Sequence, residues 1–191
     1  MGFRPADFSR RLDWDKFVES ARPDVFIKGM FFEDAVQMLA RAGHPTTKKY
    51  IAFKDYPQRE YLDLTRDAVA LAMPELGARR ALYQMALNVY PRLTSSLIGR
   101  VVFAAVGKDP ERVLSLVSKA YGLAVNGCEV QLLSLEEGRA VVMYRNAPLP
   151  LEGSQLGALH GAILEAGAKP GPALIDAQDE LSGVLDVRWE R

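Results

Sequence analysis

The hydrophobic pattern of this chain changes period near Cys128, and that change constrains the fold more than any other feature. Before Cys128, apolar residues recur at spacings of three and four, the repeat of a helix face. Phe31, Ala35, Met38, Leu39 and Ala42 form one such stripe, and Tyr61, Leu64, Ala68 and Leu71 form a second. Leu76, Ala81 or Leu82, Met85 and Val89 form a third. After Cys128 the alternation becomes that of a strand. Residues 129–135 and 139–146 read as two strands joined by Glu136-Glu137-Gly138, a hairpin connection. Leu185, Val187 and Trp189 alternate with Asp186, Arg188 and Glu190, as in a sheet with one wet face.

The spacing predicts helices over residues 7–20 (with a break near Asp13-Trp14), 30–42, 60–73 and 75–89. Pro91 either bends the chain or opens another helix that runs through Leu93, Leu97 and Val101 to Val106. Asp109 can cap a following helix, with Pro110 suited to its first turn and Val113, Leu116, Val117 and Ala120 as the buried stripe. Residues 46–58 read as a short helix or an ordered loop. A late helix over 152–166, ended by Gly167, separates the first strand pair from strands at 172–178 and 183–190. The expected fold class is therefore α+β: N-terminal helices followed by a small antiparallel sheet in strand-strand-helix-strand-strand order. In the second strand Ala140, Val142 and Tyr144 share one face while Val141 and Met143 share the other, so this strand is expected to be central and covered on both sides. The 191 residues fit a single domain, with residues 1–24 as an N-terminal helical extension.

The charge balance narrows the function. The chain carries 24 basic and 24 acidic side chains, which argues against a general nucleic-acid binder and leaves room for self-association. No secretory segment follows Met1, because Arg4, Asp7, Arg10, Arg11 and Asp13 interrupt that stretch. The apolar run from Leu97 to Val106 contains Arg100 and is too short to span a bilayer. A cytoplasmic location is the expectation. Cys128 is the only cysteine, so no disulfide can form within the chain.

No dinucleotide, phosphate-loop, zinc-protease, paired-cysteine or nucleophile-elbow pattern occurs. His44 sits before Pro45 in a turn, and His160 lies beside the apolar face of the late helix. With Cys128 these make at most three metal ligands, without the clustered spacing a zinc site needs. Glu136-Glu137 and Asp179-Glu180 read as solvent-facing turns rather than an acid/base pair. Arg79-Arg80, Arg92 and Arg100 are the charges most suited to an anionic group, since Arg92 and Arg100 stand about two helical turns apart. A plain solvated face competes with that reading. Most of the aromatic residues are core, and a subset could enclose an apolar ligand.

Three segments carry a family resemblance: Phe26-Ile27-Lys28-Gly29-Met30-Phe31-Phe32, the stretch from Tyr90-Pro91-Arg92 to Gly99-Arg100, and the hairpin at 127–146 with the helix at 152–167. Together they resemble a paralogous family of unknown function expanded in myxobacteria, distantly similar to haem-nitric-oxide-binding-like and four-vinyl-reductase-like ligand-binding domains. The resemblance implies N-terminal helices, a strand-strand-helix-strand-strand sheet, and a role in sensing or tethering. The haem sensors use a proximal histidine and a Tyr-x-Ser-x-Arg motif. Tyr144-Arg145-Asn146 departs from that motif, and His160 lies in a different kind of segment, so haem is not carried over and no cofactor is expected. Cys128 is loosely similar to a cysteine that is acylated in some tethering relatives, and the modification is not transferred.

The leading expectation is a non-enzymatic sensory or regulatory domain that binds a small apolar or amphipathic ligand and a protein partner. Its ligand-binding residues would be Cys128, Tyr144, His160, Tyr90, Arg92 and Arg100, around a closed cavity near the first three. The rival is a pocketless dimeric adaptor with a self-complementary surface. A third reading is an enzyme with His160 as base, which would place His160 beside a carboxylate or Cys128 in an open cleft.

Overall fold

In the computed structural model, residues 2–95, 100 and 107–191 are described. Of the helix expected from Pro91 to Val106, residues 91–95 are described and helical, and its course through Leu97 and Val101 to Val106 lies outside the described residues. The chain opens with a two-residue strand, β1 (Arg4–Pro5), and helix α1 (Trp14–Glu19). The helix expected over 7–20 is thus shorter than its pattern. Asp13 holds an extended backbone and accepts the Lys16 N–H at 3.2 Å, which fixes the helix start. Strand β2 (Phe26–Lys28) leads through a 3-10 turn (Gly29–Phe31) into α2 (Phe32–Arg41). Residues 46–54 form a loop, and β3 (Asp55–Pro57) follows it into α3 (Gln58–Ala72). Helices α4 (Ala78–Ala86) and α5 (Val89–Ser95) come next. Helix α6 (Pro110–Ser115) is capped by Asp109, which accepts the Arg112 N–H. The expected continuous helix breaks at Leu116, and α7 (Val117–Ala124) begins after it.

The crossing out of α7 holds a strand that the pattern does not announce. β4 (Val125–Asn126) pairs antiparallel with β2, giving a small sheet in the order β3-β2-β4. The main sheet contains β5 (Glu129–Glu136), β6 (Arg139–Arg145), β7 (Lys169–Pro170), β8 (Leu174–Ala177) and β9 (Gly183–Glu190). Its order is β1-β8-β9-β6-β5, with β7 also on β9, and every pairing is antiparallel. The expected strand-strand-helix-strand-strand sheet therefore gains two short strands, one from the N-terminus. Strand β6 is central, between β5 and β9. Its Ala140, Val142 and Tyr144 face is fully buried, whereas Val141 and Met143 are half-buried, so it is not covered equally on both sides.

Helix α8 (Leu156–Glu165) follows an irregular turn, Leu151–Gln155, in which Gly153 takes φ 126°. Leu156, Leu159 and Ile163 pack into the core that α8 shares with β6 and β9. Gly157 and Gly161 let α8 lie directly on α4 and the residues after it. A Cβ at Gly157 would fall 2.5 Å from the Tyr83 carbonyl oxygen, and one at Gly161 would fall 2.2 Å from that of Leu87. Two large apolar clusters result among the described residues, beside a small one where Ala35 and Leu39 of α2 meet Ala68 of α3. One gathers the main sheet, α6 and α8; the other gathers α1, α3, α4 and the small sheet. Phe31, Tyr121 and Cys128 touch both clusters and mark the seam between them.

Candidate functional site: an apolar cavity on the seam

Packing across that seam is incomplete. A cavity of about 90 Å³ lies between the helical cluster and the sheet cluster. Ile27, Phe31, Tyr61, Val125 and Leu149 wall it on one side, and Leu93, Val113, Leu114, Val117, Leu159 and Ala162 on the other. The wall positions follow from helix geometry: Val113 and Val117 are four apart across the α6/α7 break, and Gln155, Ala158, Leu159 and Ala162 lie on one face around α8. Among the described residues, no charged side chain lines the cavity.

The polar atoms in the wall are few and mostly engaged. Tyr121 donates its hydroxyl to Gln155 Oε1 in a very short contact, and Gln155 Nε2 donates to the Leu149 carbonyl at 3.0 Å. Burial pushes the phenol of Tyr90 up to about 12, with Glu165 adding to the shift, and burial likewise raises Tyr61 and Tyr121. All three stay neutral across the physiological range. The cavity is thus an uncharged, low-dielectric space with a short polar rim, suited to a small apolar molecule.

The residues singled out from sequence fall in different places. Tyr90 lines the cavity. Tyr144 does not; it stands behind Tyr121, ring edge to ring at 5.5 Å, with its hydroxyl buried and without a hydrogen-bond partner. Cys128 sits on the seam outside the lining, and burial, with Glu129, raises its thiol to about 12. A thiol held protonated is a poor nucleophile. His160 points to α4 rather than to the cavity: its Nδ1 lies 3.0 Å from the Tyr83 hydroxyl, and its Nε2 is buried without a partner. Burial lowers its pKa to about 4, so it is neutral, and neither ring nitrogen meets a carboxylate or Cys128.

None of the arginines lines the cavity. Arg92 is ion-paired with Asp34 and Glu33 of α2, and Arg100 is exposed. Arg79 is fully buried and makes a two-pronged pair with Glu180 at 2.6 and 2.8 Å, while its Nε donates to the Arg10 carbonyl. Glu180 lies in a solvent-facing bend, as expected, with 39% of its side chain exposed, and it also holds this buried arginine. Beside it the buried Glu152 accepts from Arg4, Arg10 and the Asp7 N–H. Burial opposes that carboxylate's charge, and the Arg4 and Asp7 hydrogen bonds outweigh it, leaving its pKa below the usual value. This cluster fastens the N-terminal segment to the turn before α8. Sequence reasoning missed Tyr121 and Gln155. No local pattern marks them, since Tyr121 shares its helix with Ser118 and Lys119, and Gln155 follows Glu152 and Ser154 in an irregular turn.

Haem does not fit this site. Pockets for ligands of that class run to about 300–1,000 Å³, several times the space here. The sequence has two histidines: His160 is turned to Tyr83, and His44 lies exposed in the loop after α2. The tyrosines in the wall are held as phenols, the wrong state for an iron ligand.

The fold has solved counterparts. An H-NOX protein from S. oneidensis in the Fe(II)NO ligation state is similar at a TM-score of 0.63 and 16% identity, covering 86% of this chain and 100% of that one. An Fe(II) unliganded H-NOX protein from K. algicida is similar at 0.62 and 14%, covering 86% and 97%. An oxygen-binding H-NOX domain related to soluble guanylate cyclases is similar at 0.59 and 8%, covering 85% and 93%. At these identities the likeness is one of fold. No curated protein matches the chain. Residues 20–190 match the family described as "Protein of unknown function (DUF2378)".

Proposed function

The chain belongs to the DUF2378 family, and from that premise we propose that it is a non-enzymatic sensory domain that takes a small, uncharged, mainly apolar molecule into the seam cavity. The observation that carries this reading is the cavity itself: a partly open space, lined by no charged side chain among the described residues, between two apolar clusters in an H-NOX-like fold. Close-packed interiors leave few gaps larger than a water molecule, and an apolar recess of about 90 Å³ that reaches between two clusters offers a small apolar molecule both entry and burial. An engineered apolar cavity of about 150 Å³ binds benzene or xenon. The space here takes a molecule of a few heavy atoms as it stands, and a larger one by displacing wall side chains. Tyr90 is the residue read from sequence that meets it; Cys128 and Tyr144 act from the second layer through Tyr121.

Filling the seam would alter how the helical cluster sits on the sheet cluster, because Phe31, Tyr121 and Cys128 contact both. A protein partner, a second copy of the chain included, would read that change. In this reading residues 1–191 act as one cytoplasmic domain. Among the described residues, no helix is long and apolar enough to cross a membrane. Native mass spectrometry of the freshly purified chain tests the proposal. A small copurifying mass that disappears in Ala162→Leu supports it. A bare chain whose thermal midpoint ignores xenon and small hydrocarbons would favour the dimeric adaptor instead.

A further inference from the structure

We propose that the loop between α2 and β3 is a docking site for an anionic membrane surface. Its tip places Ile51 and Phe53 in solvent at 64% and 55% exposure, the two most exposed large apolar side chains among the described residues. This exposure is built into the fold. The tip is a tight turn closed by the Lys54 N–H on the Ile51 carbonyl at 3.1 Å. Gly29 and Met30 donate to the Lys54 and Ala52 carbonyls, both at 3.0 Å, and the Tyr56 hydroxyl accepts the Ile51 N–H at 2.9 Å. Behind the tip, Tyr50 stacks on Phe32 at 4.2 Å and meets Tyr56 edge-on at 5.0 Å. The loop is seated so closely that a Cβ on Gly29 would fall 2.2 Å from the Ile51 oxygen. A turn held this firmly, with two apolar side chains aimed outward, has no internal use for them.

Charge selects the occupant. Residues 41–59 carry five basic side chains, Arg41, Lys48, Lys49, Lys54 and Arg59, against one acid, Asp55, in a chain whose formal net charge is zero. Asp55 is already paired with Lys28 at 2.8 Å. Lys48 pairs with Glu60, while Lys49, Lys54 and Arg59 are exposed and have no ion pair among the described residues. Apolar side chains on a convex tip ringed by lysines suit the boundary between headgroups and acyl chains in an anionic leaflet. A protein hot spot instead sits in a well-packed, desolvated patch, for which two protruding side chains are a poor template.

Sedimentation of the full chain with lipid vesicles tests this. Vesicles of phosphatidylcholine with roughly 30 mol % phosphatidylserine should carry the chain down, pure phosphatidylcholine should not, and raising salt from about 0.05 to about 0.5 M should release it. Lys49→Ser and Lys54→Ser should each weaken binding about fivefold, and Ile51→Ser with Phe53→Ser about tenfold or more. All four side chains are exposed, so unchanged thermal midpoints will show that the fold is intact. Phe53→Trp should give a vesicle-dependent blue shift in emission that the native tryptophans, Trp14 and Trp189, do not. The proposal is overturned if the chain ignores anionic vesicles, or binds them equally well in the three serine variants. It is also overturned if those variants abolish a protein contact while vesicle binding is untouched.

Discussion

His160 is a histidine that folding keeps uncharged. Its pKa falls from 6.5 to about 4 because burial disfavours the imidazolium. Between these values the unfolded chain takes up a proton that the folded chain refuses. The histidine's contribution to stability is therefore full above pH 6.5 and is lost as pH falls toward 4, by up to about 3 kcal/mol. His160→Gln should flatten the pH dependence of the denaturation midpoint in that window. It should leave the steeper loss at lower pH, where Glu152 becomes protonated and releases Arg4 and Arg10. Equal slopes for wild type and variant would mean that the imidazole is hydrated. Arg79 presents the opposite case, a buried charge held by a carboxylate, Glu180, that is itself part-exposed. Arg79→Ala returns the part-exposed Glu180 to water but leaves the Arg10 and Glu152 carbonyls without their donor, at a cost of about 1–3 kcal/mol in urea unfolding. Arg80, exposed on the same helix, should tolerate alanine within about 0.5 kcal/mol.

The contact of α4 with α8 depends on Gly157 and Gly161, where backbone oxygens occupy the space a Cβ would need. Gly161→Ala should destabilise the chain by about 1–3 kcal/mol by forcing the helices apart. Gly122, exposed in α7 with open space where a Cβ would stand, gives the contrast: Gly122→Ala should stabilise by about 0.5–1 kcal/mol. Thermal or urea midpoints separate the two. Element type was readable wherever periodicity was long. The hairpin β5-β6, the β8 and β9 strands, the Asp109 cap and most of α2, α3, α4 and α8 follow from spacing and capping alone. What failed was local or depended on distant partners. In α3 the stripe drawn through Leu71 is wrong at that residue, which is 44% exposed, while Leu62 and Val69 are buried. The stripe was right in period and rotated in phase. β1, β4 and β7 are two residues each, too short to alternate, and exist because β8, β2 and β9 offer them an edge. The site was less legible than the fold. Tyr90 could be named from sequence, but the cavity forms where α6, α7 and α8 meet the small sheet, and no local spacing encodes that meeting. The same holds for Arg92, whose partners Glu33 and Asp34 lie far away in the chain.

At the scale of the molecule, the central claim is that the gap on the seam is a ligand site rather than a packing defect. The two differ in how they respond to being filled. Ala162→Leu adds three heavy atoms to the cavity wall. As a defect, the cavity would simply be repaired, and the chain would gain about 1 kcal/mol or more. As a site, it should gain stability and lose binding together. The most direct measurement is a methyl NMR titration of the full chain with xenon and small hydrocarbons. Saturable shifts confined to Leu93, Val113, Leu114, Val117 and Leu159, absent in Ala162→Leu, are the predicted result. Shifts that never saturate, or that persist unchanged in Ala162→Leu, would contradict it.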